Sequence, residues 1–187
     1  QYRYHADWSR ERDSAKYENV VPFGHALPRL RARVARDLQR PKLDRQKVAA
    51  LAVRVLDETA IRVGNDEYTR VNRSFGLTTL HDRHATIEGA VVELDFVGKG
   101  GQRRHLKVRD RQLARLITRC RDIPGQRLFQ YWDESGKRRS LGSSDVNRYL
   151  LEATGHPFTA KEFRTWHACV TSALLLAAST APRSTSA

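Results

Sequence analysis

Apolar residues recur along this chain at two periods, and the switches between them mark its elements. Leu27, Leu30, Val34 and Leu38 follow helical spacing, in a stripe that stops before Pro41. Asp44 stands where a helix cap would, with Leu43 and Val48 as a hydrophobic staple. Behind it Val48, Leu51, Ala52, Val55, Leu56 and Ala60 keep the 3.6-residue period, and Gly64 is expected to end that helix. Gly76 to Leu80 reads as a short connection into extended structure. Val92, Leu94 and Phe96 then alternate with Glu93 and Asp95, the pattern of a half-buried strand. Gly98-Lys99-Gly100-Gly101 reads as a hairpin tip, and Leu106 and Val108 alternate on the returning strand.

The second half returns to the helical period. Asp110 caps a helix with Leu113, Leu116, Ile117 and Cys120 inside, and Leu128 to Trp132 is a short extended piece. Ser143 or Ser144 caps a helix through Leu151 that Gly155 closes. A last helix starts at Thr159, where Thr159 and Glu162 have capping-box spacing and Phe158 and Phe163 staple spacing, and it fades near Ala178. Helices, a small antiparallel sheet, then helices make a mainly helical α+β domain. Residues 1–15 read as the last strand of an upstream module plus a charged connector, 16–178 as the core, and 179–187 as a linker or disordered tail. The chain opens on Gln and contains no Met, so further protein is expected upstream.

Charge narrows the partner. Lys and Arg total 34 against 21 Asp and Glu, a formal net charge of +13 spread along the chain. That balance points to a polyanion, nucleic acid being the commonest. Cys120 and Cys169 form no CxxC or Cys/His group, so no zinc site is expected. Both fall on apolar helix faces, and buried thiols in a reducing compartment are expected rather than a disulfide. The run Leu174-Leu175-Leu176-Ala177-Ala178 is too short to span a bilayer, no signal peptide is visible, and GxxxxGK[ST] is absent.

Three cations stand out by position. Lys161 and Arg164 lie three apart at the start of the last helix, where the dipole and free N–H groups also favour an anion. Arg62 falls on the expected last turn of the Asp44-capped helix. Lys99 is flanked by glycines at the hairpin tip, in a chain with 7 lysines and 27 arginines. Arginine is essentially never deprotonated, whereas lysine can give up a proton, so an isolated Lys suits a general acid and Arg suits a phosphate clamp. Each of the three alone is equally well an ordinary surface cation.

Taken in order, the pieces Gln1-Tyr2-Arg3-Tyr4, Ile61-Arg62-Val63-Gly64, Gly76-Leu77-Thr78-Thr79-Leu80, Phe96-Val97-Gly98-Lys99 and Lys161-Glu162-Phe163-Arg164-Thr165 resemble the catalytic domain of type IB DNA topoisomerases, of the compact poxvirus-like and bacterial kind. The resemblance implies the DNA breaking–rejoining core that topoisomerase IB shares with tyrosine recombinases: helices around a small antiparallel sheet with a catalytic β-hairpin. It implies relaxation of supercoiled duplex DNA through a transient 3′-phosphotyrosyl link, without metal, ATP or other cofactor. Arg62 and Arg164 would clamp the phosphate and Lys99 would protonate the departing 5′-oxygen. Gln1, Tyr2, Tyr4, Tyr68 and Lys161 would be further DNA contacts. A monomer acting on double-stranded DNA, away from membranes and in the cytoplasm at a bacterial nucleoid, is the implied setting.

The family's nucleophilic Tyr and catalytic His lie downstream of its Arg-Thr motif. After Arg164 this chain has no Tyr, and its one later His, His167, sits on the same helix and reads as a surface or packing residue. Either the nucleophile lies on a further segment or the protein is a truncated relative, and in both cases this chain alone is expected not to cleave DNA. Two alternatives stand beside this reading. A tyrosine recombinase core shares the cation order but usually carries His-x-x-Arg where this chain has Lys161-x-x-Arg164. A non-catalytic basic DNA-binding module would explain the charge alone.

Overall fold

The computed structural model describes residues 17–179; the expected strand near Gln1–His5, the Ser9–Lys16 connector and all but the first residue of the 179–187 tail lie outside them. Helix α1 (Val20–Asp37) buries Phe23, Leu27, Leu30 and Val34 on one side. It packs on α2 (Arg45–Thr59), the centre of the domain, in which nearly every residue from Lys47 to Leu56 is buried. Asp44 caps α2 as expected, its Oδ1 accepting the Lys47 N–H at 2.9 Å. A short helix α3 (Asp66–Asn72), capped by Asn65, buries none of its residues. An amphipathic period has nothing to repeat in such a helix, so it escaped the sequence reading.

A three-stranded antiparallel sheet follows, ordered β1 (Ala85–Glu88), β2 (Val91–Val97), β3 (Arg103–Arg109). On β2 the expected alternation is present, with Val92, Leu94 and Phe96 buried. Asp110 caps α4 (Arg111–Arg121), accepting from the Gln112 and Leu113 N–H groups, and α4 packs its buried Leu113, Leu116, Ile117 and Cys120 toward the sheet. Strands β4 (Gln130–Trp132) and β5 (Arg138–Ser140) form a small hairpin, and β4 also contacts α2. Helix α5 (Ser143–Thr154) ends at Gly155 in the left-handed region, φ +77°, and the long α6 (Lys161–Ala178) closes against α1. The architecture is the expected mainly helical α+β with one small sheet carrying the hairpin.

Local expectations needed four corrections. Helix α2 ends at Ala60 rather than at Gly64: Ala60 adopts φ 51° and ψ 26°, and its N–H returns to the Leu56 carbonyl. Tertiary pairing overrides the glycine signal here, because the Arg62 and Val63 carbonyls are held by the Leu77 and Thr78 N–H groups at 2.8 and 2.7 Å. Helix α5 starts on Gly142, with neither serine as its cap; Asp145 reaches back to accept the Gly142 N–H at 3.0 Å. At α6 the Thr159–Glu162 box is half made. Glu162 Oε2 accepts from both the Thr159 N–H and its hydroxyl, so that hydroxyl is turned away from the Glu162 N–H. Finally Cys169 is only half-buried, since the second half of α6 leaves the core; Cys120 is fully buried and both thiols are free.

Candidate active site

The site is assembled by backbone stitching. After Ala60 the chain runs without regular secondary structure through Arg62, and the pairs Leu77–Arg62 and Thr78–Val63 lock it against the segment 75–79. That segment is in turn tied to the sheet, since the Phe75 N–H donates to the Val97 carbonyl at 2.7 Å. Two residues beyond Val97 is Lys99. The approach is so close that a Cβ on Gly76 would lie 2.6 Å from the Arg62 carbonyl oxygen and from two backbone atoms of Gly64. Arg62 thus stands beyond the end of α2, on an irregular segment whose position is coupled to the hairpin.

The hairpin turns through residues 98–102. Gly98 N–H donates to the Gln102 carbonyl, and Gly100 and Gly101 take φ +76° and +74°, a reversal that side chains disfavour. Arg164 comes from the other side, on the second turn of α6. Its neighbours Phe163 and Thr165 are buried, and Phe163 and Phe158 both stack edge-on against Phe23 of α1, at ring-centre distances of 5.0 and 5.3 Å. The two phenylalanines therefore staple α6 to a third ring rather than to each other. Trp166 packs over Gly24 of α1, where a Cβ would come within 2.4 Å of its ring. The next residue, His167, donates from Nε2 to the Asp57 carbonyl at 2.6 Å, and Asp57 takes a two-pronged pair from Arg31. Helices α1, α2 and α6 are thereby clamped around the point where Arg62 emerges.

Arg62, Lys99 and Arg164 all line one cavity of about 450 Å³. Sequence reasoning missed a fourth cation in its wall, Arg104 on β3. Arg62, Lys99 and Arg104 are exposed at the rim and Arg164 is half-buried. Burial, and then the like charges of Arg62 and Arg104, push the Arg164 guanidinium down from the ordinary arginine range. Among the described residues no Asp or Glu lines this cavity, and none of the four cationic side chains has a hydrogen-bond or ion-pair partner. Phe75, Phe96 and Leu106 supply an apolar floor. His167, read from sequence as surface or packing, does both jobs: it is half-buried, tied to Asp57 and part of the wall.

A larger cleft of about 1380 Å³ lies elsewhere, beside the α1–α2 junction and β4. It too has cations, Arg40, Lys42 and Arg45 among them, but also Asp44, Asp122, Asp133 and Glu134, and Arg40 pairs with Asp44 at 2.8 Å. Balance of charge, not volume, sets the smaller cavity apart. The remaining sequence candidates do not gather there. Lys161 is exposed outside the cavity wall, so the Lys161–Arg164 pair is split between solvent and site, and Tyr68 lies exposed on α3. Gln1, Tyr2 and Tyr4 lie outside the described residues. No tyrosine among the described residues lines the cavity, and no group of three or more His, Cys, Asp or Glu among them is placed to hold a metal ion.

Fold and site together define an α+β domain whose carboxylate-free cavity is shaped for an anion. The family model described as eukaryotic DNA topoisomerase I, catalytic core, matches residues 5–187, and the chain belongs to that family. It is 32% identical over 172 residues to the DNA topoisomerase 1B of Acanthamoeba polyphaga mimivirus, covering 90% of this chain and 51% of that protein. It is 24% identical over 194 residues to the DNA topoisomerase 1 of Mycosarcoma maydis, covering 91% of this chain and 19% of that protein. The chain thus spans about half of the first of these curated relatives and about a fifth of the second. Crystal structures of the XerH site-specific recombinase bound to difH substrate before cleavage, and to palindromic difH after it, match with a TM-score of 0.53 each. At 14% identity, over 79% and 80% of this chain and 41% of theirs, that likeness concerns the fold alone.

Proposed function

We propose that this chain is the phosphate-gripping core of a type IB DNA topoisomerase, which relaxes supercoiled duplex DNA by transient cleavage of one strand through a 3′-phosphotyrosyl link. The observation that carries the reading is the convergence of Arg62, Lys99 and Arg164 on one cavity free of carboxylates. A tyrosine hydroxyl attacks the phosphorus and gives up its proton to solvent, the bond to the 5′-oxygen breaks, and negative charge builds on the non-bridging oxygens. Cations already in place stabilise that charge in the transition state more than in the ground state. Arg62 and Arg164 fill this role from two sides. The leaving 5′-oxygen takes a proton from Lys99, whose hairpin-tip position lets it approach the backbone. Resealing runs the same steps in reverse, so the protein works as a monomer on duplex DNA without ATP, metal or other cofactor.

Arg62 is held by the backbone ties to Leu77 and Thr78, and Arg164 by the buried ring cluster on α1, which supports a rigid clamp. Lys99 stands on a glycine-rich tip that can adjust to the duplex. Tyr68, Lys161 and the N-terminal Gln1, Tyr2 and Tyr4 serve as flanking contacts to DNA. No helix among the described residues is long and apolar enough to cross a membrane, and we place the protein with DNA in the cytoplasm. The relatives named above are viral and eukaryotic, so a bacterial nucleoid draws no support from them.

The test is single-turnover cleavage of a duplex by the complete protein bearing Lys99→Arg or Lys99→Ala. Loss of a general acid costs roughly a hundred- to ten-thousand-fold in rate. Both variants should fall in that range, because Arg keeps the charge but not the titration. Cleavage by Lys99→Arg at near the parent rate would remove the acid from the mechanism.

A further inference from the structure

The strand pairing makes Arg104 an anomaly. In the β2–β3 register Val92 faces Val108, Leu94 faces Leu106 and Phe96 faces Arg104. Cross-strand partners share a face. Arg104 therefore occupies the last place of the row that packs inward, where the pattern of the preceding pairs calls for an apolar residue. The outward row carries Arg103, His105, Lys107 and Arg109, and the first three are answered by a carboxylate of β2. Arg103 makes a two-pronged pair with Asp95, at 2.9 and 2.6 Å. Lys107 meets Glu93 at 2.7 Å, and His105 Nε2 lies 3.8 Å from the same Glu93. Within the hairpin the outward Arg103 and Lys107 are thus paired with carboxylates, while the inward Arg104 has no such partner among the described residues.

Room has been made for that arginine. Gly98 is buried with φ −94°, a conformation open to any residue, so its lack of a side chain is about space. A Cβ there would press to 3.3 Å from Arg104 Cγ and 3.7 Å from the Phe96 ring. The stem of Arg104 lies across Gly98, the residue before Lys99, and its head stands in the cavity wall with Arg62 and Arg164.

We propose that Arg104 is a third phosphate-contacting arginine of this site, gripping the same phosphodiester as Arg62 and Arg164 from the hairpin side. This rests on the reading of the cavity as a phosphodiester site. Because its stem crosses Gly98, contact between Arg104 and phosphate also fixes the hairpin base, and so helps bring Lys99 to the leaving oxygen. Burial first, and then the like charges of Arg62 and Arg104, lower the proton affinity of Arg164, and the repulsive part is relieved when an anion sits among these groups.

The experiment uses inorganic phosphate as probe, followed by the guanidinium NMR signals of the chain, with Arg103→Leu as control because it removes the same charge one residue away on the outer face. Arg104→Leu suits an inward row of Phe and Leu and should fold as stably as the parent in urea. It should weaken phosphate binding about tenfold, the loss of one charge-assisted hydrogen-bonded contact. Arg103→Leu should change it less than twofold. Equal binding by Arg104→Leu and the parent, an equal loss in both variants, or no saturable phosphate binding in the parent would each overturn the proposal. A parent-like cleavage rate for Lys99→Arg, with the phosphate results as expected, would instead sink the acid role and leave Arg104 in place.

Discussion

Replacing Gly76 with alanine tests whether the backbone contact beneath Arg62 organises the site. Gly76 has φ −143° and ψ 179°, which any residue adopts, so alanine meets no conformational objection. The objection is steric. Its Cβ would stand 2.6 Å from the Arg62 carbonyl oxygen, from Gly64 Cα and from Gly64 N, all backbone atoms. The two segments must part by about 0.8 Å to reach the 3.4 Å of ordinary contact. That separation opens the Leu77–Arg62 and Thr78–Val63 hydrogen bonds and disturbs the Thr79 hydroxyl, which accepts the Gly76 N–H at 2.9 Å. Overpacking costs typically about 1–3 kcal/mol, and each stretched buried hydrogen bond adds about 1 kcal/mol, so we expect about 2–4 kcal/mol.

Urea unfolding of the parent, Gly76→Ala and Gly155→Ala measures this. Gly155 provides the contrast: a Cβ there meets nothing within 4 Å, but φ is +77°. Gly155→Ala should cost only about 1 kcal/mol, the left-handed penalty alone. Gly76→Ala should also lower phosphate affinity, because Arg62 moves with the segment, whereas Gly155→Ala should not. A Gly76→Ala protein as stable as the parent, with unchanged phosphate binding, would refute the claim that this contact holds Arg62 in place.

Further predictions concern the core. Tyr149→Phe removes the hydroxyl that donates to Asp37 Oδ2 at 2.9 Å and leaves that buried carboxylate with the Arg33 Nε contact at 2.7 Å, so it should cost about 1.5–3 kcal/mol in urea. Burial and the neighbouring Arg83 and His81 push His84 from 6.5 down to about 4. Both states hold it neutral above pH 6.5; as pH falls from there to about 4 the unfolded chain takes a proton that the folded chain refuses, so stability drops. Allowing for solvent screening, His84→Asn should remove about 1–2 kcal/mol of the acid destabilisation measured between pH 7 and pH 4.5. Burial pushes the Cys120 thiol up to about 12, so a thiol reagent should label one cysteine, Cys169, in the native protein, and Cys120 only after unfolding.

What could be read from the sequence was whatever local chemistry decides. Asp44 and Asp110 cap helices through their own side chains, Gly155 takes its φ because it can, and the β2 alternation reports its own buried face. Elements that depend on distant partners were illegible. Ala60 ends α2 because of a pairing with residues 77 and 78, and β1 exists because Ala85 to Glu88 find β2. The same division runs through the site. Arg62, Lys99 and Arg164 could be picked out by motif order, but Arg104 could not, because an Arg-Arg pair on a strand does not announce which member faces inward. The usable signal was one of register: counting by twos from Val108 and Leu106 reaches Arg104, not Arg103. Lys161 and Arg164, three residues apart on α6, are divided between open solvent and the cavity wall, a division that spacing alone does not tell.

The distribution of pairing argues against solubility as the purpose of this chain's charge. A soluble basic surface is served equally well by cations anywhere, and self-repulsion is least when they are dispersed. Here carboxylates are spent on outward positions: Asp95 on Arg103, Glu93 on Lys107, Asp57 on Arg31 and Asp133 on Arg139. They are withheld from the cavity where four cations meet over apolar residues, a setting in which like charges repel more than they would in open water. A fold bears that cost where the ligand removes it. An anion held among Arg62, Arg104 and Arg164 converts the repulsion into attraction, and more so as its charge grows, so the same arrangement that burdens the free domain favours a phosphorus centre gaining negative charge over one at rest.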